Sequence, residues 1–348
     1  MVDSYGLYLQ DHYSLRDSIR YVQYAELRGF DSVWQAETRL VRDATIAMAA
    51  YAATTLRIKI GSGVMTHWTR NTAALAATFL TLDDLAPDRI LCGLGSWWEP
   101  LAHKTGVVRS KPLLAMREVV TALKALLTLQ RVTYRGEFVQ LDDIVLDVVY
   151  GRREPRNVPI YLGATGASMA ALAGEIANGV LLNLMVSPEH NAAVMEELQR
   201  GLRQSGRPLD QVARPQLIVC SVDRNRALAL NRARRLVTLY LVQQPRLMLA
   251  SGVRQELIDE VSQVLAWEPE EYQIEQAMRL VPDDVVQLVT ASGTPKEVRA
   301  KVGEYFASGI TSAVLYPLGE DVRYVIDVFA DSSADTSTDT VPVSITNP

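Results

Sequence analysis

Three glycine-bearing stretches and a few titratable side chains are where this sequence could do chemistry. GSGVMTHWTRN (61–71) sets Gly61, Ser62, Gly63 and Val64 ahead of His67 and Trp68. Two glycines closing a strand let the backbone bulge beneath a flat ligand, and they equally serve a plain tight exit from strand to loop. GLGSWWEP (93–100) repeats the theme with Gly93, Gly95, Ser96, Trp97, Trp98 and Glu99. A small-residue floor with aromatic walls suits a planar ligand, although glycine eases any strand-to-loop turn and tryptophan also fills cores. In VPIYLGATGAS (158–168) an apolar run enters Gly163, Ala164, Thr165 and Gly166, then Ser168 at the start of an alanine-rich helix. The first N–H groups of a helix lack intrahelical partners and carry partial positive charge, and small residues let a phosphate reach them. The Ser168 hydroxyl either adds a donor there or simply caps the helix.

Acid–base candidates are few. Glu37 and Thr38 follow a strand-like run, as do His12 and His67 after theirs, and a partly desolvated carboxyl or imidazole can give or take a proton. Asp43 reads as a helix-start residue. The chain contains no Gly-x-Ser-x-Gly elbow, no HExxH, no GxGxxG fingerprint after a strand and no P-loop lysine, so serine or zinc hydrolysis and NAD or ATP sites find little support.

These residues need elements to hold them, and the pattern supplies alternating strands and helices. Strands are expected at Tyr5–Leu9, Phe30–Ala36, Leu56–Met65, Arg89–Leu94, Pro159–Leu162, Val180–Leu184, Gln216–Cys220 and Thr311–Tyr316, with helices between them. Such alternation implies parallel strands with helical crossovers, and eight of them suit a closed (β/α)8 TIM barrel, an α/β fold. Two runs flanking Arg135–Gly136 within 132–150 predict an inserted β-hairpin, and Arg224–Tyr240 with 254–279 predict a helical insertion near the carboxyl mouth. Residues 1–330 are read as one domain. The tail 331–348, rich in Ser, Thr, Asp and Pro, is expected not to fold.

Composition narrows the class. With 48% apolar and 22% charged residues, the 348-residue chain has ample material for a core. A net charge of −5 opposes a nucleic-acid surface. No apolar run reaches the ~20 residues of a membrane helix, and the N-terminus lacks the pattern of a signal peptide. Cys92 and Cys220, far apart and without histidine partners at ligand spacing, predict buried thiols, no metal site and a reducing cytoplasm.

Taken together, AELRGFDSVWQAE (25–37), residues 61–96, KPLLAMREVVTALKALL (111–127), VTYRGEFVQL (132–141) and residues 158–183 resemble the luciferase-like monooxygenase superfamily. Within it they are most similar to the coenzyme-F420-dependent branch that includes methylenetetrahydromethanopterin reductases. The resemblance implies a TIM barrel, usually homodimeric, and a deazaflavin coenzyme held by Gly61–Val64, Gly93, Gly95, Ser96 and Gly163–Gly166 with Ser168. It also implies a non-proline cis peptide, matched here to Gly63–Val64. Hydride would move between the deazaflavin C5 and an electrophilic C=C or C=N carbon of a small-molecule or modified-peptide substrate. Glu37 or His67 would be the proton partner, and His12, Trp68, Trp97, Trp98 and Glu99 would shape the substrate pocket. The chain departs from the family pattern at Asn71, at Asn178, and on the first strand, where Tyr8 and Gln10 stand instead of an acid. An FMN-dependent monooxygenase and a cofactor-free binding subunit on the same barrel are the alternatives.

Overall fold

The computed structural model of the chain describes residues 4–37, 39–266 and 269–330; Thr38 and the tail 331–348 lie outside the described residues. Twelve strands are described: β1 Tyr5–Leu9, β2 Ser32–Gln35, β3 Lys59–Ser62, β4 Met65–Thr66, β5 Ile90–Gly95, β6 Val132–Arg135, β7 Gln140–Ile144, β8 Ile160–Ala164, β9 Gly179–Leu182, β10 Pro215–Val222, β11 Ala291–Gly293 and β12 Ser312–Pro317. Eight of them run parallel in the order β10-β12-β1-β2-β3-β5-β8-β9, and β9 returns to β10 through Gln216 and Leu182. The expected closed eight-stranded barrel is therefore present.

Local chemistry sets the helix boundaries. The helix Leu15–Leu27 ends before Gly29, whose φ of 85° only glycine adopts readily. Asp43 caps the helix Ala44–Thr54, accepting from the N–H groups of Thr45 and Ile46. Asn71 does the same for Thr72–Leu85. The family departure at Asn71 is thus a working cap. Asn178 likewise has a local task, since its Oδ1 accepts from the Ile160 N–H at 3.0 Å and fixes the start of β8.

Several expectations need correction. The third strand is shorter than Leu56–Met65, because the chain leaves the ladder after Ser62 and re-pairs only as β4, with Met65 opposite Leu94. The hairpin exists, but its antiparallel strands end at Ile144 and its loop spans 136–139 in place of a two-residue turn. The buried Glu118 carboxylate sets this loop by accepting from the N–H groups of Glu137, Phe138 and Val139 at 2.9, 2.7 and 3.0 Å. β11 and the helices Glu99–Lys104, Pro245–Ala250 and Asp283–Val289 were not anticipated. Each is short, and too short a run to show a period.

Two apolar clusters divide the core. One lies between barrel and outer helices and contains Leu7, Val33, Ile60, Cys92, Phe79, Leu123 and Cys220; both cysteines are buried there. The other joins side chains of alternate strand positions (Tyr8, Trp34, Leu181, Leu217, Val219, Tyr316) to the helical insertion through Leu230, Val237, Leu241 and Met248. The insertion is therefore packed onto the barrel interior through one continuous apolar cluster. Among the described residues no helix is long and apolar enough to cross a membrane.

Candidate active site

The carboxyl ends of β2, β3, β5 and β8 bring the glycine-bearing stretches together. The peptide bond between Gly63 and Val64 is cis, at the position matched from the resemblance. Val64 turns its side chain toward the neighbouring strands, where Cβ atoms on Gly95 and Gly163 would press on its methyl groups. A Cβ on Gly93 would overlap the Ser62 carbonyl oxygen, and one on Gly61 would overlap the Trp34 ring. Ser62 is fully buried: its Oγ donates to the Gly93 carbonyl at 2.8 Å and accepts from the Gly93 N–H at 2.9 Å. Four of the glycines expected beneath a coenzyme are thus required by the protein's own wall. Ser62 is likewise used up in joining β3 to β5.

The loop after β8 is different. Thr165, Gly166, Ala167 and Ser168 are exposed, and a Cβ on Gly166 would meet nothing within 4 Å. Gly166 is the cap of the helix Ala167–Ile176 and supplies no side chain to its first turn. Ser168 sits inside that turn, so it does not act as the cap. Exposed first-turn N–H groups with an adjacent hydroxyl form a site that an oxyanion fits.

Glu37 is almost fully buried after β2, and position alone made it a proton donor. Its Oε1 and Oε2 receive Arg70 Nη2 and Nη1 at 2.6 and 2.8 Å, and Arg70 also reaches Asp43 at 3.1 Å. A carboxylate engaged by both arms of a guanidinium is a fixed acceptor that ties the β2 and β3 exits together. Arg70 itself was overlooked, although its place three residues after His67, in the loop that follows β4, signalled an ion pair with a carboxylate at the neighbouring strand's exit.

His67 is 5% exposed, packed on the Trp68 ring at 4.5 Å, with no hydrogen-bond partner for its Nε2. Burial, with the Arg109 charge added, pushes its imidazole down to about 4, so it is neutral at pH 7. Trp68 donates Nε1 to the Ser96 carbonyl at 3.2 Å, joining the β4 exit to the β5 exit. Trp97 has a φ of 65°, and Trp98 caps the helix Glu99–Lys104; both are half-buried. Glu99 is exposed and pairs with Arg109 at 2.7 Å. Arg109 carried no motif in the sequence. A cavity of about 430 Å³, lined by His67, Trp68, Arg70, Phe138 and Gln140 among others, opens between the loop after β4 and the hairpin.

On the opposite side of the mouth, exposed His12 places Nε2 2.8 Å from the Tyr316 hydroxyl, which lies 3.2 Å from Gln10 Oε1. The Tyr8 ring stands edge-on to Tyr316 at 5.4 Å, and a Cβ on Gly63 would lie 3.1 Å from it. His12 is therefore separated from the strand-three bulge by two tyrosine rings. Asp11 pairs with Arg39 at the same rim.

Comparison with known proteins agrees with this geometry. A family model described as luciferase-like monooxygenase matches residues 4–312. The 5,10-methylenetetrahydromethanopterin reductase of Archaeoglobus fulgidus is 28% identical over 310 residues, 88% of this chain and 92% of that protein. The F420-dependent glucose-6-phosphate dehydrogenase of Kineococcus radiotolerans is 29% identical over 321 residues, 88% of this chain and 89% of that one. The solved coenzyme F420 dependent tetrahydromethanopterin reductase from Methanopyrus kandleri superposes with a TM-score of 0.84 at 23% identity, covering 94% of this chain and 97% of its own. With the family pattern spanning most of the barrel, the chain belongs to the luciferase-like monooxygenase family.

Proposed function

We propose that this protein is a coenzyme F420-dependent oxidoreductase acting on a small-molecule or modified-peptide substrate. The carrying observation is the open loop Thr165–Ser168, where a helix start is left uncapped by any side chain directly beside a glycine-packed wall. A coenzyme phosphate fits that loop, and Gly63–Val64 with the Tyr8 ring offers a flat support for a planar ring. The relatives named for F420 support the same coenzyme. When bound, the deazaflavin supplies a two-electron hydride at C5. The chain's own residues orient the partners, exclude water and handle the proton. An electrophilic C=C or C=N carbon is the acceptor this balance suits.

For the proton, the route through His12 and Tyr316 replaces Glu37. Glu37 is occupied by Arg70, and His67 is buried and neutral, whereas His12 is exposed to water and bonded to Tyr316. His12→Ala is expected to slow single-turnover oxidation of reduced F420 at least tenfold with little change in coenzyme affinity. An unchanged rate would send the proton through water.

The test of the whole reading is a titration of protein into F420, followed by its absorbance band. A shift with micromolar affinity is expected; retention of FMN in its place would move the protein to the monooxygenase reading. A homodimer in the cytoplasm completes the proposal. The packed helices Ala44–Thr54 and Thr72–Leu85 are apolar nearly all round, with Ile46, Leu56 and Leu85 exposed beside or upon them, and both thiols are free. Ile46→Glu should convert dimer to monomer in sedimentation velocity.

A further inference from the structure

Buried polar atoms are normally hydrogen-bonded, so those left without partners point to what is meant to arrive. Eight such side-chain atoms occur among the described residues, and three belong to the segments that follow β4 and β5: His67 Nε2 just after β4, Ser96 Oγ just after β5, and Arg109 Nε beyond the helix Glu99–Lys104. They belong to one cluster. His67 packs on Trp68, Trp68 donates to the Ser96 carbonyl, and the Arg109 charge acts on the His67 ring. Phe138 of the hairpin loop stands edge-on to Trp68 at 5.8 Å, and the cavity of about 430 Å³ opens on the His67–Trp68 pair.

The geometry points to a carboxylate-binding subsite: His67, Ser96 and Arg109 receive the carboxylate of a substrate whose flat, apolar body lies along Trp68 and Phe138. The chemistry follows from the donors. Arg109 contributes an N–H that no protein acceptor takes, Ser96 a hydroxyl that can donate, and neutral His67 a ring nitrogen that donates in one tautomer. Each of the three atoms can donate and a guanidinium charge accompanies them, a set that acceptor-only carboxylate oxygens would satisfy. Glu99 does not fill this role: it binds Arg109 Nη1 from the solvent side and is mostly exposed. Burying the arriving charge is offset by the same guanidinium, as an isolated buried carboxylate would not be.

The assignment rests on the mouth being the substrate site of an F420-dependent oxidoreductase, and it is tested without turnover. Protein carrying isotope-labelled histidine, saturated with F420, is titrated with benzoate and with benzamide, its uncharged counterpart. The ring signals of His67, identified by their loss in His67→Gln, are followed by NMR. Benzoate should shift them saturably, and benzamide should bind at least tenfold more weakly. Arg109→Gln should weaken benzoate at least tenfold and Ser96→Ala at least threefold. The other three histidine signals report that each variant stays folded. Equal responses to benzoate and benzamide, or an unaffected Arg109→Gln, would overturn the subsite. A benzoate response present in the free protein but abolished by F420 would also overturn it, because the coenzyme's own tail would then be the occupant. F420 binding is read from its absorbance in the same samples, so failure of the coenzyme assignment shows separately.

Discussion

The inner wall of the barrel and its rim, a few ångströms apart along the same strands, treat space and polar atoms in opposite ways. In the wall, Val64 lies against Gly95 and Gly163, Ser62 exchanges two hydrogen bonds with Gly93, and Trp34 covers Gly61. At the rim, Gly166 faces open space, and His67, Ser96 and Arg109 keep polar atoms without partners. Glycine in one sequence motif therefore has two meanings. Where a neighbour already occupies the Cβ position the glycine serves packing; where nothing does, it leaves room for a ligand.

The contrast breaks most severely at Gly93. A methyl group there would overlap the Ser62 carbonyl oxygen, which is backbone in a buried strand and cannot rotate away. Gly93→Ala should leave no cooperative thermal transition, a loss beyond the ~1–3 kcal/mol typical of overpacking. A folded variant with normal melting would show that β3 and β5 separate easily and that the wall is not rigid.

Next comes Glu118, whose carboxylate collects three hairpin N–H groups. Burial pushes this carboxyl up, but those three N–H groups outweigh burial and hold it below its ordinary value. Glu118→Gln puts an amide N–H among these donors and should cost about 3 kcal/mol in urea unfolding at pH 7. The sign of the pH dependence follows from the lowered value. Glu118 contributes its full stability above the ordinary carboxyl value of 4.5 and loses it as pH falls through the lower folded value. The gap between wild type and Glu118→Gln should therefore narrow as pH falls below the ordinary carboxyl value. A constant gap would mean that the carboxylate charge contributes nothing.

Glu37→Gln should be milder, about 1–2 kcal/mol, because Arg70 keeps Asp43 as a partner and is partly solvated. Coenzyme affinity should change less than threefold if the ion pair only ties the β2 and β3 exits together. A hundredfold fall in turnover at unchanged stability would restore Glu37 as the proton donor.

The barrel could be read in the sequence because alternating strand and helix patterns, caps such as Asp43, and glycine stops act locally. The open loop after β8 was legible for the same reason: a strand, small residues and a helix start follow one another within 160–168. The uses of the other glycines were hidden. Whether Gly95 faces a ligand or a methyl group depends on Val64, thirty-one positions earlier and brought alongside only when β4 pairs with β5. Arg109 was hidden too, since it lies in an irregular segment between two helices and acquires meaning only beside His67.

The smallest structural effect belongs to Gly166, where the contrast is sharpest. Its φ of −138° and ψ of 159° are extended values that any residue adopts, and no atom lies within 4 Å of an added Cβ. Gly166→Ala should therefore leave the melting temperature within about 1–2 °C, and the fixed backbone could even gain a few tenths of a kcal/mol through the unfolded chain. Coenzyme binding should respond differently. A phosphate drawn to the first-turn N–H groups has to approach the backbone at Gly166, and a branched side chain there stands in its path. Gly166→Val should weaken F420 at least tenfold, about 1.4 kcal/mol, with Gly166→Ala intermediate and both variants as stable as wild type. The deazaflavin fragment that lacks phosphate and tail supplies the control: its weaker binding should be the same in all three proteins. Equal losses for the fragment and for F420 would place the obstruction at the ring and not the phosphate. No loss for either would leave Gly166 as a mere loop residue, and the open helix start would then have to serve some other anion.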